Sequence, residues 1–323
     1  MMRHAGLAGA WLLGLLSSAM AYPVSVESCG ETLTFSAAPR RAVVHDLNMT
    51  EMVLALGLRE RLVGVTGISG WYKTGPEFKA ALGNVPELAP KYPSMETLLA
   101  VAPDFFFAGW YYGMNPGGEV TPATLARQGV ATLVLSESCI HLGKPRPTAT
   151  MDLLYADMLK LGAIFDRSAQ AAALVAQWKQ RLAAVQLPQA TQRLRVFLYD
   201  SGEDKPFTAG RHAIAHAMID AAGGHNVMAD LETSWAHAAW ETVAARNPQF
   251  LILLDYQDGV GPERLLRNLQ THPAMRNTDA VRQRRFVALR YAELTPGPAN
   301  IAAIEKLAAA LRLAAQAAAP VGK

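Results

Sequence analysis

The sequence lacks the marks of several large protein classes. Only 18% of its 323 residues are charged, and no run of Lys or Arg suggests a nucleic-acid-binding patch. With 51% hydrophobic residues, the composition is that of neither a disordered nor a membrane protein. The phosphate-binding motifs G-x-x-x-x-G-K-[ST] and G-x-G-x-x-G do not occur, and neither does the hydrolase motif G-x-S-x-G. The usual sequence signatures of nucleotide-binding proteins and serine hydrolases are therefore missing.

The first 21 residues have the pattern of a secretory signal. Arg3 supplies a positive charge, residues 7–16 form a short apolar core, and Ala-Met-Ala at 19–21 is a suitable cleavage site. The apolar core is shorter than the ~20 residues that a membrane span needs. We therefore expect a cleaved leader and an exported mature chain that begins at Tyr22.

Cysteine is scarce, and the chain contains only Cys29 and Cys139. Export would place both in an oxidising compartment, which favours a disulfide between them. Such a bond would close a loop of about 110 residues and, in the chain-entropy view, add ~4–5 kcal/mol of stability. Two buried thiols are the alternative.

One stretch of the chain occurs twice. Residues 96–111, ETLLAVAPDFFFAGWY, align without a gap on residues 241–256, ETVAARNPQFLILLDY, with six identities in sixteen positions. In both copies a short helical segment is followed by a proline and then by an apolar run, which is typical of a strand covered on both faces. A period of 145 residues is too long for a solenoid, so the repeat predicts two similar lobes, each with its own sheet.

Strands and helices alternate along both predicted lobes, which indicates parallel sheets. Between the lobes, residues 168–186 form one amphipathic pattern without Gly or Pro, and Val175, Trp178 and Leu182 lie on its apolar face. A helix of this length spans roughly 28 Å and would hold the lobes at a fixed spacing.

The repeat also carries a resemblance to a known family. The pattern S-x-E-x-L-L-A-x-x-P-D at 94–104, echoed by W-E-x-x-x-A-x-N-P at 240–248, resembles the periplasmic substrate-binding proteins of ABC importers for ferric siderophores, haem and cobalamin. Segments 45–67 and 207–227, the latter containing A-G-G-x-N-V, resemble the same family.

The resemblance implies an α/β fold of two lobes, with parallel central sheets flanked by helices, joined by one long α-helix. The expected divisions are a signal peptide at 1–21, an N-terminal lobe at 22–166, a connecting helix at 167–187 and a C-terminal lobe at 188–323. It also implies a monomeric periplasmic binding protein rather than an enzyme. Such a protein captures a metal chelate between its lobes and delivers it to the permease dimer of an ABC transporter.

The identity of the ligand stays open among three chelates, and no cofactor of the protein's own is implied. A ferric siderophore is favoured, because Lys73, Arg211 and Arg290 offer cations to an anionic ligand. Cobalamin is second, because tryptophan and tyrosine walls suit a corrin. Haem is third, because the family's haem-ligating tyrosine is expected beside a Gly upstream of Tyr92, where Ala89 lies instead. An enzyme with Glu and His in the cleft is the alternative from another class.

Candidate ligand-binding residues follow from the topology, since ligands of open parallel sheets bind outside the carboxyl ends of the strands. Residues after the predicted strands are rich in aromatics with a few cations, as a large semi-polar chelate requires. The predicted set is Trp71, Tyr72, Lys73, Trp110, Tyr111, Tyr112, Arg211, His212, Trp235, Tyr256, Arg290 and Tyr291. An ordinary place in the core or on the surface is the alternative for each. No metal site of the protein itself is predicted, because His212 and His216 fall short of the three or four ligands that zinc needs.

Glu96 and Glu241 occupy equivalent positions of the repeat. In the family that the chain resembles, such a glutamate on each lobe docks with arginines of the two permease subunits. Pairing between arginine and carboxylate is specific in orientation, and two symmetric anchors suit a two-fold partner. We therefore expect these residues to contact the permease and not the ligand. Solvated, inert surface glutamates are the alternative.

Overall fold

A computed structural model of the protein describes residues 22–71, 74–143, 147–185, 193–256 and 261–318, with only the backbone of Trp71 and Ala318. The predicted signal peptide at 1–21 lies outside these residues and stays a prediction. Among the helices of the described ranges, none is both long enough and apolar enough to span a membrane.

The first lobe is built on a parallel sheet with the strand order β5-β4-β3-β6, and β8 pairs with the free edge of β6. A hairpin of β1 and β2 precedes the sheet, and β7 adds a short pair at the end of β6. Its strands are β1 (Val24–Ser28), β2 (Glu31–Phe35), β3 (Ala42–His45), β4 (Leu62–Thr66), β5 (Glu87–Ala89), β6 (Phe105–Trp110), β7 (Gly113–Met114) and β8 (Ala131–Val134). Its helices are α1 (Leu47–Ala55), α2 (Pro76–Leu82), α3 (Met95–Leu99), α4 (Pro122–Ala126) and α5 (Asp152–Ile164).

A long helix, α6 (Ser168–Val185), follows the first lobe. It buries the predicted apolar face, including Val175, Trp178 and Leu182, and packs against α5. Its polar side reaches the last helix of the chain, where Arg181 and Glu305 form two parallel hydrogen bonds of 2.8 and 2.7 Å. The helix thus contacts elements on both sides of the predicted junction, which suits a connector that fixes the spacing of the lobes.

The second lobe repeats the architecture with a smaller parallel sheet of order β11-β9-β13-β14. An antiparallel pair of β10 and β12 lies beside it. Its strands are β9 (Arg195–Tyr199), β10 (Phe207–Ala209), β11 (His225–Asn226), β12 (Trp235–His237), β13 (Phe250–Asp255) and β14 (Phe286–Arg290). Its helices are α7 (Ile214–Ala221), α8 (Trp240–Ala245), α9 (Pro262–Thr271), α10 (Asp279–Arg282), α11 (Tyr291–Leu294) and α12 (Ala299–Ala318). The predicted fold class is therefore confirmed.

The sequence repeat corresponds to a structural repeat. Both copies form a short helix and then a six-residue central strand, α3 with β6 and α8 with β13. Between helix and strand, Ala102 and Asn247 adopt the same left-handed conformation, each with a φ of 42°. Arg41 donates to the carbonyl of Ala102 at 2.9 Å, and Arg195 donates to that of Asn247 at 2.9 Å. An arginine at the start of a neighbouring strand thus satisfies the free carbonyl groups of each helix end.

The predicted disulfide between Cys29 and Cys139 is present and buried. It ties the turn of the first hairpin to the short 3₁₀ segment Ser136–Leu142, which follows β8. Because this segment passes between the lobes, the disulfide holds it against the first lobe.

One predicted helix start is wrong. Asn48, followed three residues later by Glu51, predicts a capping box at the start of α1. Asp46 caps this helix instead, accepting a hydrogen bond from the backbone N–H of Leu47 at 2.6 Å. The side chain of Asn48 instead donates to the carbonyl of Pro296 in the second lobe, at 2.7 Å. A buried amide that reaches the other lobe contributes more to the placement of the lobes than to the helix end.

Candidate functional site

A cavity of about 420 Å³ lies between the lobes, outside the carboxyl ends of both sheets. This is where ligands of open α/β sheets bind. Its wall combines aromatic rings with a few hydroxyl groups and a single carboxyl group. The lining residues are Tyr111, Tyr112 and His141 from the first lobe, and Asp200, Phe207, Ser234, Trp235, Leu254, Tyr256, Tyr291, Leu294 and Thr295 from the second.

A tight turn after β6 delivers the two tyrosines of the first lobe. Tyr111 has a left-handed backbone, and its N–H donates to the carbonyl of Met114 at 2.7 Å. Gly113 is required here, because its φ is +94° and a Cβ would lie 2.5 Å from the ring of His45. The turn leaves Tyr111 54% exposed in the cleft, with its ring edge-on to His141 at a centroid distance of 4.7 Å. Burial lowers the pKa of His141, so its imidazole is neutral at neutral pH.

The opposite wall comes from the second lobe. Phe207 and Trp235 lie on the paired strands β10 and β12 and stack at 5.8 Å with 22° between their planes. Tyr256 follows β13, Tyr291 follows β14, and their ring centroids are 6.2 Å apart. Four aromatic rings thus present flat apolar surface to the cavity.

Carboxyl groups hold both of these tyrosine hydroxyls. Tyr256 donates to Asp200 at 3.0 Å within the second lobe, and Tyr291 donates to Asp46 of the first lobe at 3.1 Å. Burial raises the pKa of Tyr256 and of Tyr291 far above their usual value, so both phenols stay neutral. Burial also raises the pKa of Asp200, and hydrogen bonds from Ser201 and Tyr256 oppose that rise.

A third carboxyl group, Glu137, lies behind the aromatic wall. It is 3% exposed and accepts a hydrogen bond from the backbone N–H of Ile214 in the second lobe, at 2.5 Å. The hydroxyl of Tyr112 donates to its other oxygen at 3.3 Å. Burial raises the pKa of Glu137 to about 7, and the Ile214 N–H, the Trp235 indole and the Tyr112 hydroxyl hold it down. The indole N–H is close to the carboxyl group but makes no hydrogen bond of ordinary geometry.

The structure brings part of the predicted ligand set together. The predicted residues that line the cavity are Tyr111, Tyr112, Trp235, Tyr256 and Tyr291. Tyr72, Lys73 and the side chain of Trp71 lie outside the described residues, so their role stays a prediction. His141, Glu137 and Asp200 were not among the predicted binding residues. The first two lie on an irregular segment without periodicity, and Asp200, although it follows a strand, is equally expected to cap the turn after it.

Trp110 does not line the cavity, contrary to expectation. Its side chain is 7% exposed and packs in the core of the first lobe with Phe106 and Cys139. As the last residue of β6 it still pairs with Met114, and its backbone N–H donates to the hydroxyl of Ser138 at 3.0 Å. Because β6 is covered on both faces, its final residue is buried and the next residue is the first to reach the cleft.

Among the described residues, the predicted cations Arg211 and Arg290 and the predicted His212 do not line the cavity. The guanidinium of Arg211 donates to Thr148 at 3.0 Å and pairs with Glu232 at 3.3 Å. Arg290 pairs with Glu293 at 3.1 Å. His212 is buried, and its Nδ1 lies 2.9 Å from the carbonyl oxygen of Pro147 beside a second cavity. Neighbouring groups satisfy the hydrogen-bonding atoms of each of these side chains. Although each residue was predicted from its position near a strand end, its side chain therefore does not contact the ligand site.

Two further predictions concern metals and docking. Among the described residues there is no group of three or more His, Cys, Asp and Glu side chains arranged to hold a metal ion. Glu96 and Glu241 are exposed in the first turns of α3 and α8. Their docking role stays a prediction.

Comparison of the sequence with known families gives a match over residues 43–292 to a family described as periplasmic binding protein. A cobalamin-binding protein of Halobacterium salinarum is 26% identical over 253 residues, and the match covers 76% of this chain but only 61% of that relative. A vitamin B12-binding protein of Pectobacterium atrosepticum is 25% identical over 250 residues, covering 75% of this chain and 76% of the relative.

Solved structures share the fold over most of the chain. A periplasmic binding protein from Veillonella parvula has a TM-score of 0.77 and 28% identity, covering 89% of this chain and 96% of its own. A protein described as an ABC-type Fe³⁺-hydroxamate transport system from Saccharomonospora viridis has a TM-score of 0.75 and 25% identity, covering 90% of this chain and 99% of its own.

Proposed function

The chain belongs to the periplasmic binding protein family, and we propose that it captures a cobalamin-type corrinoid between its lobes and passes it to an ABC importer. One observation carries the choice of ligand. The described residues that line the cavity include six aromatic rings and one imidazole ring, and no Lys or Arg. The binding relatives named for cobalamin and vitamin B12 support the same choice.

The charge of the cavity favours a ligand without carboxylate groups. Asp200 lines the cavity, Asp46 lies behind Tyr291, and the predicted cations Arg211 and Arg290 are paired elsewhere. An anionic chelate would lose its hydration beside these carboxyl groups without a counter-charge from the described wall, which is costly. The cations that made a ferric siderophore the favoured ligand in the sequence therefore give it no support in the described part of the site.

The chemistry of a corrinoid matches what the wall offers. A corrin is a flat macrocycle edged with carboxamide groups, which are neutral and both donate and accept hydrogen bonds. Trp235 and Phe207 supply flat surface for the ring, while Ser234, Thr295 and the tyrosine hydroxyls supply partners for the amides. The cavity of about 420 Å³ lies within the usual range for ligand pockets. It holds one edge of so large a ligand, and the remainder extends along the open cleft.

A ferric hydroxamate siderophore is the second candidate. The observation that favours it is the solved structure with that description, which matches 90% of this chain. Haem has less support, because its carboxylates need cations and because Tyr92 does not line the cavity. The ring of Tyr92 packs edge-on against His45 at 5.3 Å.

Delivery would use the two exposed glutamates of the repeat. Glu96 and Glu241 lie in equivalent first turns, where the helix dipole tolerates a carboxylate. We infer that each pairs with an arginine of one permease subunit, in the periplasm, while the ligand stays between the lobes.

A titration panel tests the proposed ligand. Purified protein is mixed with cyanocobalamin, a ferric hydroxamate or haemin, separated by gel filtration, and scanned for absorbance that elutes with the protein. We expect cyanocobalamin to co-elute at one per chain and to be recovered unchanged, as for a binding protein and not an enzyme. Co-elution of the ferric hydroxamate alone would assign the second candidate, and consumption of any ligand would reveal catalysis.

A further inference from the structure

Glu137 connects the two lobes directly behind the proposed ligand pocket. It lies on the segment Ser136–Leu142, which the disulfide holds to the first lobe. One of its partners, Tyr112, lines the pocket, and the other, Ile214, begins helix α7 of the second lobe. Glu137 itself borders a second cavity of about 350 Å³ on the other side. Because Glu137 is a buried carboxyl group, its hydrogen-bond partners have to rearrange when it takes up a proton.

The two oxygens of Glu137 are not equivalent. Oε2 accepts from the backbone N–H of Ile214 at 2.5 Å, and a backbone N–H is a donor only. A proton on Oε2 would face that donor, so a proton taken up by Glu137 belongs on Oε1. Oε1 faces the hydroxyl of Tyr112 at 3.3 Å, and a hydroxyl can either donate or accept.

We propose that Glu137 sets the hydrogen-bonding polarity of the ligand pocket through the hydroxyl of Tyr112. When Glu137 is ionised, Tyr112 donates to Oε1, and the phenol oxygen offers only lone pairs to a ligand. When Glu137 is protonated, Oε1–H donates to the phenol oxygen, and the Tyr112 O–H turns toward the pocket as a donor. The pocket therefore presents an acceptor in one state and a donor in the other. The effect on the ligand rests on the proposed function, whereas the switch itself does not.

Charged and titratable groups from both lobes surround Glu137. Burial raises its pKa to about 7, and the charge of Asp157 on α5 adds to that rise. Asp157 is itself paired with Lys160 at 3.1 Å. From the second lobe, Ile214 and Trp235 present neutral donors, and His212, beside the second cavity, lies against the carbonyl of Pro147. The acceptor state accordingly prevails above about pH 7 and the donor state below it.

The first test uses the protein without ligand. Carboxyl carbons of glutamate and Cζ of tyrosine are labelled with ¹³C, and spectra are recorded from pH 5 to 9. The two resonances are identified by their loss in Glu137→Gln and Tyr112→Phe. We expect both to shift with one common midpoint near 7. A Glu137 carboxyl that titrates without any shift of Tyr112, or that does not titrate in this range, would overturn the switch.

The second test measures affinity for cyanocobalamin at pH 6 and pH 8. The affinity of the wild type should differ by about tenfold between the two pH values, which is the effect of one hydrogen bond of ~1.4 kcal/mol. In Glu137→Gln the amide oxygen accepts from Ile214 and the amide N–H₂ donates to Tyr112, so the donor state is locked. At both pH 6 and pH 8, this variant should bind cyanocobalamin with the affinity that the wild type has at pH 6. Tyr112→Phe removes the hydroxyl and should also abolish the pH dependence, even if the Gln variant folds poorly.

Asp200→Asn is the matched control. Asp200 is also a buried carboxyl group bound by a pocket tyrosine, but it lies with that tyrosine in one lobe. Asp200→Asn should change the affinity for cyanocobalamin by the same factor at pH 6 and at pH 8. The difference in affinity between the two pH values should therefore remain. A Glu137→Gln protein that retains the wild-type pH dependence would overturn the proposal. Failure of the wild type to bind cyanocobalamin at either pH would reject the proposed ligand, and the ligand-free spectra would still decide the switch.

Discussion

At the scale of single residues, two buried carboxyl groups make the stability of the fold depend on pH. Burial raises the pKa of Glu51 and of Glu137 to about 7. Both acids therefore hold a proton in the folded protein over a range in which they are ionised in the unfolded chain. Stability from these groups is present at low pH and is lost as pH rises from about 4.5 through about 7.

Glu51→Gln should show this effect most simply. Glu51 Oε2 is buried on α1 without a hydrogen-bond partner among the described residues, so the neutral amide avoids the burial of a charge. We expect the variant to be more stable than wild type at pH 8, by up to about 3 kcal/mol for a shift of this size, and equally stable near pH 4. Urea unfolding at several pH values measures this. Glu60→Gln, at an exposed position, is the control, and equal curves for wild type and Glu51→Gln would refute the prediction.

Trp235→Ala tests the aromatic wall. Removing this ring takes away its stacking surface, so the affinity for cyanocobalamin should fall by at least about tenfold. Trp110→Phe is the matched control, because Trp110 is a core residue. It should lower the unfolding free energy while leaving affinity unchanged. Titration of both variants with cyanocobalamin, followed by tryptophan fluorescence or calorimetry, shows which tryptophan contacts the ligand. A loss of affinity in Trp110→Phe alone would place Trp110, and not Trp235, on the pocket wall.

The comparison of Trp110 with Tyr111 shows how far sequence reasoning reaches at this scale. Apolar runs in the sequence located the central strands. The rule that ligands bind outside the carboxyl ends of parallel strands then identified Tyr256 and Tyr291. This rule could not determine which of two adjacent aromatic residues is the last buried one, because that depends on the turn that contains Gly113. Glu137 escaped notice because its partners are 25 and 77 residues away, and no local pattern reports such contacts.

At the scale of elements, the disulfide determines where the segment Ser136–Leu142 lies. This segment carries both Glu137 and His141, yet it is short and irregular. The bond from Cys139 to Cys29 fixes it against the first hairpin. Stability and ligand affinity should therefore depend on the same bond.

Replacing both cysteines by alanine tests this dependence. The chain-entropy view predicts a loss of ~4–5 kcal/mol in unfolding free energy for a loop of this length, together with weaker binding of cyanocobalamin. Chemical denaturation and titration of the double variant measure both effects. Unchanged affinity in a folded double variant would show that the segment keeps its place without the bond.

The helices α3 and α8 carry the docking prediction. Charge reversal of Glu96 or Glu241 to Lys should preserve folding and ligand affinity but weaken the complex with the permease, by ~2–5 kcal/mol per contact. The double reversal should be worse. Exposed Glu31→Lys is the control, and uptake in reconstituted vesicles is the readout. Normal uptake by the double variant would remove the docking role.

At the scale of the whole molecule, several bonds join the lobes in the absence of ligand. Asn48 reaches Pro296, Tyr291 reaches Asp46, and Glu137 reaches Ile214. Helix α6 packs along both lobes. Such a junction favours small adjustments over wide hinge closure, so X-ray scattering curves with and without cyanocobalamin should nearly coincide. A marked decrease in the radius of gyration on binding would show that the lobes close.

The two-lobe architecture could be predicted because the sequence contains the same helix-and-strand pattern twice. The ligand could not be predicted from the sequence. The charge on the pocket wall depends on which partner each arginine side chain contacts. Arg211 pairs with Glu232, 21 residues away, and Arg290 pairs with Glu293, three residues away. A position after a strand does not distinguish such a pairing from a contact with ligand.

Calorimetric titration with cyanocobalamin tests the central claim most directly. We predict a single saturable site with one ligand per chain and weaker binding in Trp235→Ala. Absence of measurable heat and of binding with cyanocobalamin, together with saturable binding of a ferric hydroxamate, would contradict the account.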